Sequence, residues 1–121
     1  MAGTVVNTEQ SHTSIKLIKF AWTSDGAGAA DSTTTKYFDG KILAVVTVPG
    51  AGALAPDPNY DIVITDLLGA DILLGNGANR HTANTEFIAL ASLGAVSLST
   101  LTLAVTAAGA ANSGDVYIYL R

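Results

Sequence analysis

Six consecutive residues, Tyr60-Asp61-Ile62-Val63-Ile64-Thr65, constrain the fold more than any other part of this chain. Tyr60, Ile62 and Ile64 alternate with Asp61, Val63 and Thr65, the period-2 pattern of a strand with one buried face. Asp66-Leu67-Leu68-Gly69-Ala70-Asp71 follows, a Gly-containing, Asp-flanked break that lets the chain turn before Ile72-Leu73-Leu74. The same grammar recurs throughout: a short β-rich run, a cluster of Gly, Ala, Asn and Asp, then another run. It predicts an all-β protein, an antiparallel two-sheet sandwich of jelly-roll or immunoglobulin-like size with about eight short strands.

The expected strands lie near 14–23, 33–38, 41–48, 60–65, 72–74, 85–91, 101–106 and 116–120. In the first, Ile15-Lys16-Leu17-Ile18-Lys19-Phe20-Ala21-Trp22, the alternation changes phase at Leu17 and Ile18, which predicts a bulge or a pair buried on both faces. Asp39-Gly40 is a hairpin signal. The run over 41–48 is apolar on both faces and is stopped by Pro49, which cannot donate to a ladder. Ala107 to Ala111 favours helix intrinsically, yet Gly109 and the short length limit it to a turn. Residues 1–13 carry no sustained period and are expected to be a flexible N-terminal arm ahead of a single domain over 14–121. With 121 residues there is room for one core, burying roughly two-thirds of the unfolded surface.

Composition narrows the function classes. Charged residues make up 13% of the chain, about half the usual share, so Ala, Gly, Thr and Ser must cover much of the surface. Such a surface suits a protein packed against copies of itself or a partner. The net charge is −4 and the cations Lys16, Lys19, Lys36, Lys41, Arg80 and Arg121 are scattered, which argues against nucleic acid. The absence of cysteine rules out disulfide and thiolate chemistry. No basic-then-apolar leader opens the chain, and no run nears the roughly 20 apolar residues of a membrane span.

Candidate chemistry is sparse. His12 and His81 have no partners at zinc spacing and read as surface histidines. Asp57, Asp61, Asp66 and Asp71, and the looser pair Asp25 and Asp31, could suit a hard cation, but no EF-hand pattern joins them and aspartate is the standard turn builder. Gly75-Asn76-Gly77-Ala78-Asn79 lacks the lysine and helix of a phosphate loop and reads as a turn. No Gly-x-Ser-x-Gly elbow is present. No enzyme, cofactor or metal is therefore expected. Trp22, Tyr37, Phe38, Tyr60, Tyr117 and Tyr119 could stack on sugar if exposed, although core packing or a subunit contact is the simpler assignment. Tyr117 and Tyr119, opposite the apolar face of the last strand, are the candidate contact residues for an oligomer or capsid.

Lys19-Phe20-Ala21-Trp22-Thr23-Ser24-Asp25 leading into Thr33-Thr34-Thr35-Lys36-Tyr37-Phe38-Asp39-Gly40, then Tyr60-Asp61-Ile62, Asn84-Thr85-Glu86-Phe87, Leu101-Thr102-Leu103-Ala104-Val105-Thr106 and Val116-Tyr117-Ile118-Tyr119-Leu120-Arg121, carry a resemblance. In overall pattern, over most of 18–121, they resemble a family of small virion structural proteins of tailed bacteriophages. The resemblance has no functional motif and transfers no site residue. It implies a non-enzymatic particle component, assembled in the bacterial cytoplasm and resident on the virion. The acidic balance disfavours a genome-facing inner surface. The expectation is a head decoration (cement) protein on the capsid exterior, a homo-trimer or dimer bound to the major capsid protein. The alternatives are a head–tail connector or tail component, or a carbohydrate-binding sandwich used in adsorption.

Overall fold

The computed structural model describes residues 3–11, 14–89 and 93–121. Among them the chain forms nine strands: β1 Thr4–Gln10, β2 Lys16–Thr23, β3 Ala30–Thr33, β4 Phe38–Pro49, β5 Asp61–Thr65, β6 Glu86–Ile88, β7 Ala95–Ser99, β8 Thr102–Thr106 and β9 Ser113–Leu120, with one 3-10 turn at Gly52–Leu54. They make an antiparallel β-sandwich. The larger sheet has the order β1-β2-β9-β4-β6, with β7 also paired to β4, and the smaller has the order β3-β8-β5. β6 and β7 share one edge of β4, β7 along residues 38–41 and β6 along 45–47.

The core fills the space between the sheets. The larger sheet contributes Ile18, Phe20 and Trp22 from β2, Val116, Ile118 and Leu120 from β9, and Ile42 and Val45 from β4. The smaller contributes Ile62 and Ile64 from β5 with Leu103 and Val105 from β8. Tyr60, Ile62 and Ile64 face inward as their alternation predicts, while Val63 is exposed.

Several expectations are corrected. Residues 4–10 do not belong to a free arm: β1 pairs with β2 along its whole length, from Thr4 opposite Thr23 to Gln10 opposite Leu17. Its alternation of Val5, Asn7 and Glu9 against Thr4, Val6, Thr8 and Gln10 has weak hydrophobic contrast because the inward side chains are half-buried. They bridge to the other sheet. Asn7 Nδ2 donates to Ser32 Oγ at 3.0 Å, and the Glu9 carboxylate accepts the backbone N–H groups of Thr35 and Lys36. Met1, Ala2, His12 and Thr13 lie outside the described residues.

The bulge expected in β2 is also misplaced. β2 keeps unbroken register with both neighbours, and the irregularity falls in β4 between Ile42 and Ala44. The extra residue switches the inward phase from Phe38 and Ile42 to Val45 and Thr47. Asp39-Gly40 is not a hairpin turn but part of β4, where Gly40 has φ 131° and passes Arg121 so closely that a Cβ would lie 2.8 Å from its carbonyl carbon. Residues 72–74 are turn rather than strand, the strand near 33–38 is instead β3, and the strand expected over 85–91 is seen at Glu86–Ile88, with 90–92 outside the described residues. β7 is an additional strand, and the 107–111 segment is a turn with Ala107, Gly109 and Ala111 all at positive φ.

One turn is built three times. Asp25 Oδ1 accepts N–H bonds from Ala27 and Ala29, and Asp66 Oδ1 accepts them from Leu68 and Ala70, with Gly28 and Gly69 at φ 83° and 79° closing each loop. Asp71 repeats the arrangement, its carboxylate taking the N–H groups of Leu73 and Gly75. Its third residue on is Leu74, at φ 53° with its side chain exposed, in the left-handed region that costs an L-residue about 1–2 kcal/mol. Leu74→Gly is therefore expected to raise stability by about 0.5–1 kcal/mol after glycine's extra unfolded-state entropy is counted. A urea midpoint that fell would show Leu74 to be held by packing.

Candidate interaction surface

The outer faces of antiparallel sandwiches are usually polar. On the larger sheet of this protein the outward-facing residues run in rows set by the strand register. One row is Thr8, Lys19, Tyr117, Val46 and Phe87, crossing β1, β2, β9, β4 and β6. The row above it is Val6, Ala21, Asp115 and Val48, and the row below is Gln10, Leu17, Tyr119 and Ala44. Phe87 and Val6 are 66% and 69% exposed, and Leu17, Ala21, Val46, Val48, Tyr117 and Tyr119 are half-buried. Apolar and aromatic side chains thus dominate a face that none of the described residues covers.

Tyr117 and Tyr119 stand near the centre of that face because β9 is the middle strand of the sheet. The Lys19 ammonium lies 5.5 Å from the Tyr117 ring centroid, a cation–π contact that keeps the cation over the face. Lys19 and Asp115 occupy adjacent strands one row apart, and among the described residues neither has an ion-pair partner. Val6, Val46, Val48 and Phe87 were not singled out in the sequence. The signal that could have found Val46 and Val48 was the two-faced hydrophobicity of residues 41–48, since a strand apolar on both sides is covered on both sides.

The remaining candidate residues are dispersed. His81 is a local cap: its Nδ1 accepts the N–H groups of Ala83 and Asn84, while its own N–H donates to Glu86 Oε1. His12 lies outside the described residues. Asp25, Asp66 and Asp71 serve their turns, and Asp61 Oδ1 accepts the Asn79 N–H at 2.9 Å. Hydrogen bonds from Ala29 and Ala27 hold the Asp25 carboxyl below its usual range. Asp57 packs beside Gly109, and Asp31 lies on β3 with an exposed side chain. Among the described residues no three carboxylate, histidine or cysteine groups come together as a metal site. The 75–79 loop has Gly75 and Asn79 at positive φ and seals the edge of β5, the Gly77 carbonyl accepting the Ile62 N–H.

Of the aromatic set, Trp22, Phe38 and Tyr60 are buried and cannot stack on a ligand, Tyr37 is exposed, and Tyr117 and Tyr119 are half-buried. Trp22 and Tyr60 meet at 5.6 Å between ring centroids. Burial, reinforced by the nearby Glu86 charge and partly offset by Thr47 and Arg80, pushes the Tyr60 phenol up to about 12 from 10.0. A raised folded-state value means the native state holds the proton more tightly, so the contribution is complete below pH 10 and is lost as pH rises through 12. The expected loss is about 2–3 kcal/mol across that window. Tyr60→Phe should flatten that part of the pH–stability curve. Equal slopes for the two proteins between pH 10 and 12 would refute the assignment.

No protein-family model matches this chain, and no curated protein matches it. Among solved structures it is similar to one from work on the promiscuous specificity of carbohydrate-binding modules of the β-sandwich superfamily, with a TM-score of 0.38 and 18% identity. The alignment covers 99% of this chain and 54% of the other, so this chain spans about half the length of that neighbour.

Proposed function

We propose that the protein is a non-enzymatic structural component of a tailed-phage virion, a decoration protein that binds the head from outside and stabilises it. The observation that carries this reading is the uncovered apolar face of the larger sheet, built from Val6, Leu17, Ala21, Val46, Val48, Phe87, Tyr117 and Tyr119. Burying such a face against neighbouring subunits of a particle removes apolar area from water at about 25 cal/mol per Å². A subunit that binds the assembled lattice and not its dissociated pieces raises the lattice's apparent stability by mass action. The acidic balance of the chain favours the exterior over the genome side.

The test is to mix the purified protein with undecorated heads and measure occupancy. Saturable binding that raises the temperature of head disruption is expected. Val46→Glu, which places a carboxylate beside Tyr117 on the face without touching the core, should lower occupancy at least tenfold. Absence of binding by the intact protein would overturn the head assignment, and attachment to tails would move it to a connector or tail component. Retention on a glycan array that depends on Phe87 and Tyr117 would favour a carbohydrate-binding role in adsorption.

A further inference from the structure

We infer that the outer face of the larger sheet is occupied by a second copy of this chain, packed face to face about a two-fold axis that passes between Lys19 and Asp115. This rests on the reading of that face as a burial surface and adds the identity of what covers it. The first argument is charge. Within the three central rows the face carries one cation and one anion, Lys19 on β2 and Asp115 on β9, on adjacent strands and one row apart. Buried without partners, each would carry a large desolvation penalty. In an isologous pairing, residue i meets j while j meets i. A two-fold axis lying between the two faces, perpendicular to the line from Lys19 to Asp115 and crossing it at its midpoint, sets Lys19 of each copy against Asp115 of the other, so a single operation neutralises all four charges.

The second argument is size and position. Four strands about 25 Å long and the three-residue β6, about 4.8 Å apart, give a flat footprint near 550 Å², before side-chain relief is added, against about 800 Å² per partner in a standard stable interface. The Lys19–Asp115 midpoint lies between β2 and β9, near the middle of the five-strand order, so rotation about it leaves the two faces overlapping over most of their area. Tyr117 and Tyr119 then flank the axis, where aromatic anchors carry most binding energy. The exposed leucines Leu67 and Leu68 of the turn after β5, and Leu98 of β7, are not on these rows and stay available to another partner.

The experiment uses the full chain without heads, so its outcome is independent of the virion assignment. Wild-type protein is expected to sediment as a dimer at micromolar concentration. Lys19→Asp sets two carboxylates together in both contacts, and Asp115→Lys sets two ammonium groups together in both, so each variant alone should dimerise roughly 10- to 100-fold more weakly. Mixed one to one, the two variants should form a heterodimer of near wild-type affinity, because both contacts are again opposite in charge. The exchange variant Lys19→Asp/Asp115→Lys should dimerise by itself. Circular dichroism and melting of each variant separate loss of pairing from loss of fold. Two weakened variants that do not rescue each other, or a wild-type protein that stays monomeric at high concentration, would overturn the inference.

Discussion

Removal of residues 2–10 is expected to leave a chain with no cooperative folding transition, or one whose stability has fallen by at least roughly 3 kcal/mol out of the ~5–15 kcal/mol typical of a domain. The segment is strand β1, and its loss strips one of the two ladders of β2, from Leu17 to Thr23, leaving only the pairing to β9. It also removes Val5 from the side of the core and releases the bonds of Asn7 to Ser32 and of Glu9 to Thr35 and Lys36. Those side chains tie the larger sheet to the chain around β3, so the smaller sheet loses a restraint as well. The bared β2 edge, with Leu17 on one face and Ile18 on the other, is then a template for aggregation. Urea titration and soluble yield measure both effects. A truncated protein with an unchanged melting temperature would restore the picture of an independent arm.

Trp22→Ala is expected to cost about 3–5 kcal/mol, the range for truncating a buried aromatic. The indole is 1% exposed, meets Tyr60, and lies across Gly114 of β9, where a Cβ would come within 2.7 Å of its ring. The absence of a side chain at position 114 is thus the counterpart of a large one at 22. Gly114→Ala should destabilise the native protein by about 1–3 kcal/mol through overpacking, and much less in the Trp22→Ala background. The Val48 carbonyl oxygen, 2.9 Å from the same point, keeps some cost in the double variant. Additive losses would mean that the ring moves aside freely and that the pairing does not shape this end of the sandwich.

The fold class was legible wherever one face is buried and the other wet. Tyr60, Ile62 and Ile64, and Val116, Ile118 and Leu120, each alternate cleanly and each point inward. It was illegible where that contrast fades. β1 lies at an edge with its inward side chains half-buried and two of the three, Asn7 and Glu9, polar, while Val6 on the outer face is apolar, so the hydrophobic contrast fades. In β4 the bulge switches the inward phase while the outward residues are also apolar, so the strand looked uniformly hydrophobic. Asp39-Gly40 has the composition of a turn, but the glycine answers to the close passage of Arg121, a contact 81 residues away in sequence.

The candidate surface was half legible. Tyr117 and Tyr119 stood out because β9 alternates, whereas Val6, Val46, Val48 and Phe87 come from three strands whose register no local pattern encodes. The threefold Asp turn was on view in Asp25-Gly26-Ala27-Gly28-Ala29 and Asp66-Leu67-Leu68-Gly69-Ala70. Aspartate followed by a glycine three residues on is the signal that marks it.

The place of β9 bears on how the molecule is made. The ninth of the described strands in chain order is the middle strand of the larger sheet, joined to β2 on one side and β4 on the other. A ribosome adding about 5–20 residues per second needs roughly 4–14 s to pass from the end of β4 at Pro49 to the end of β9 at Leu120, and for that time β2 and β4 have no common neighbour. The nascent chain can close its first hairpin, yet an isolated hairpin is marginal in water. Commitment to the native state therefore comes only once β9 has been made, when its eight residues insert between strands that have waited for them. Loss of those few residues, by premature termination or by a tailing protease, would take out the centre of the sheet rather than its border.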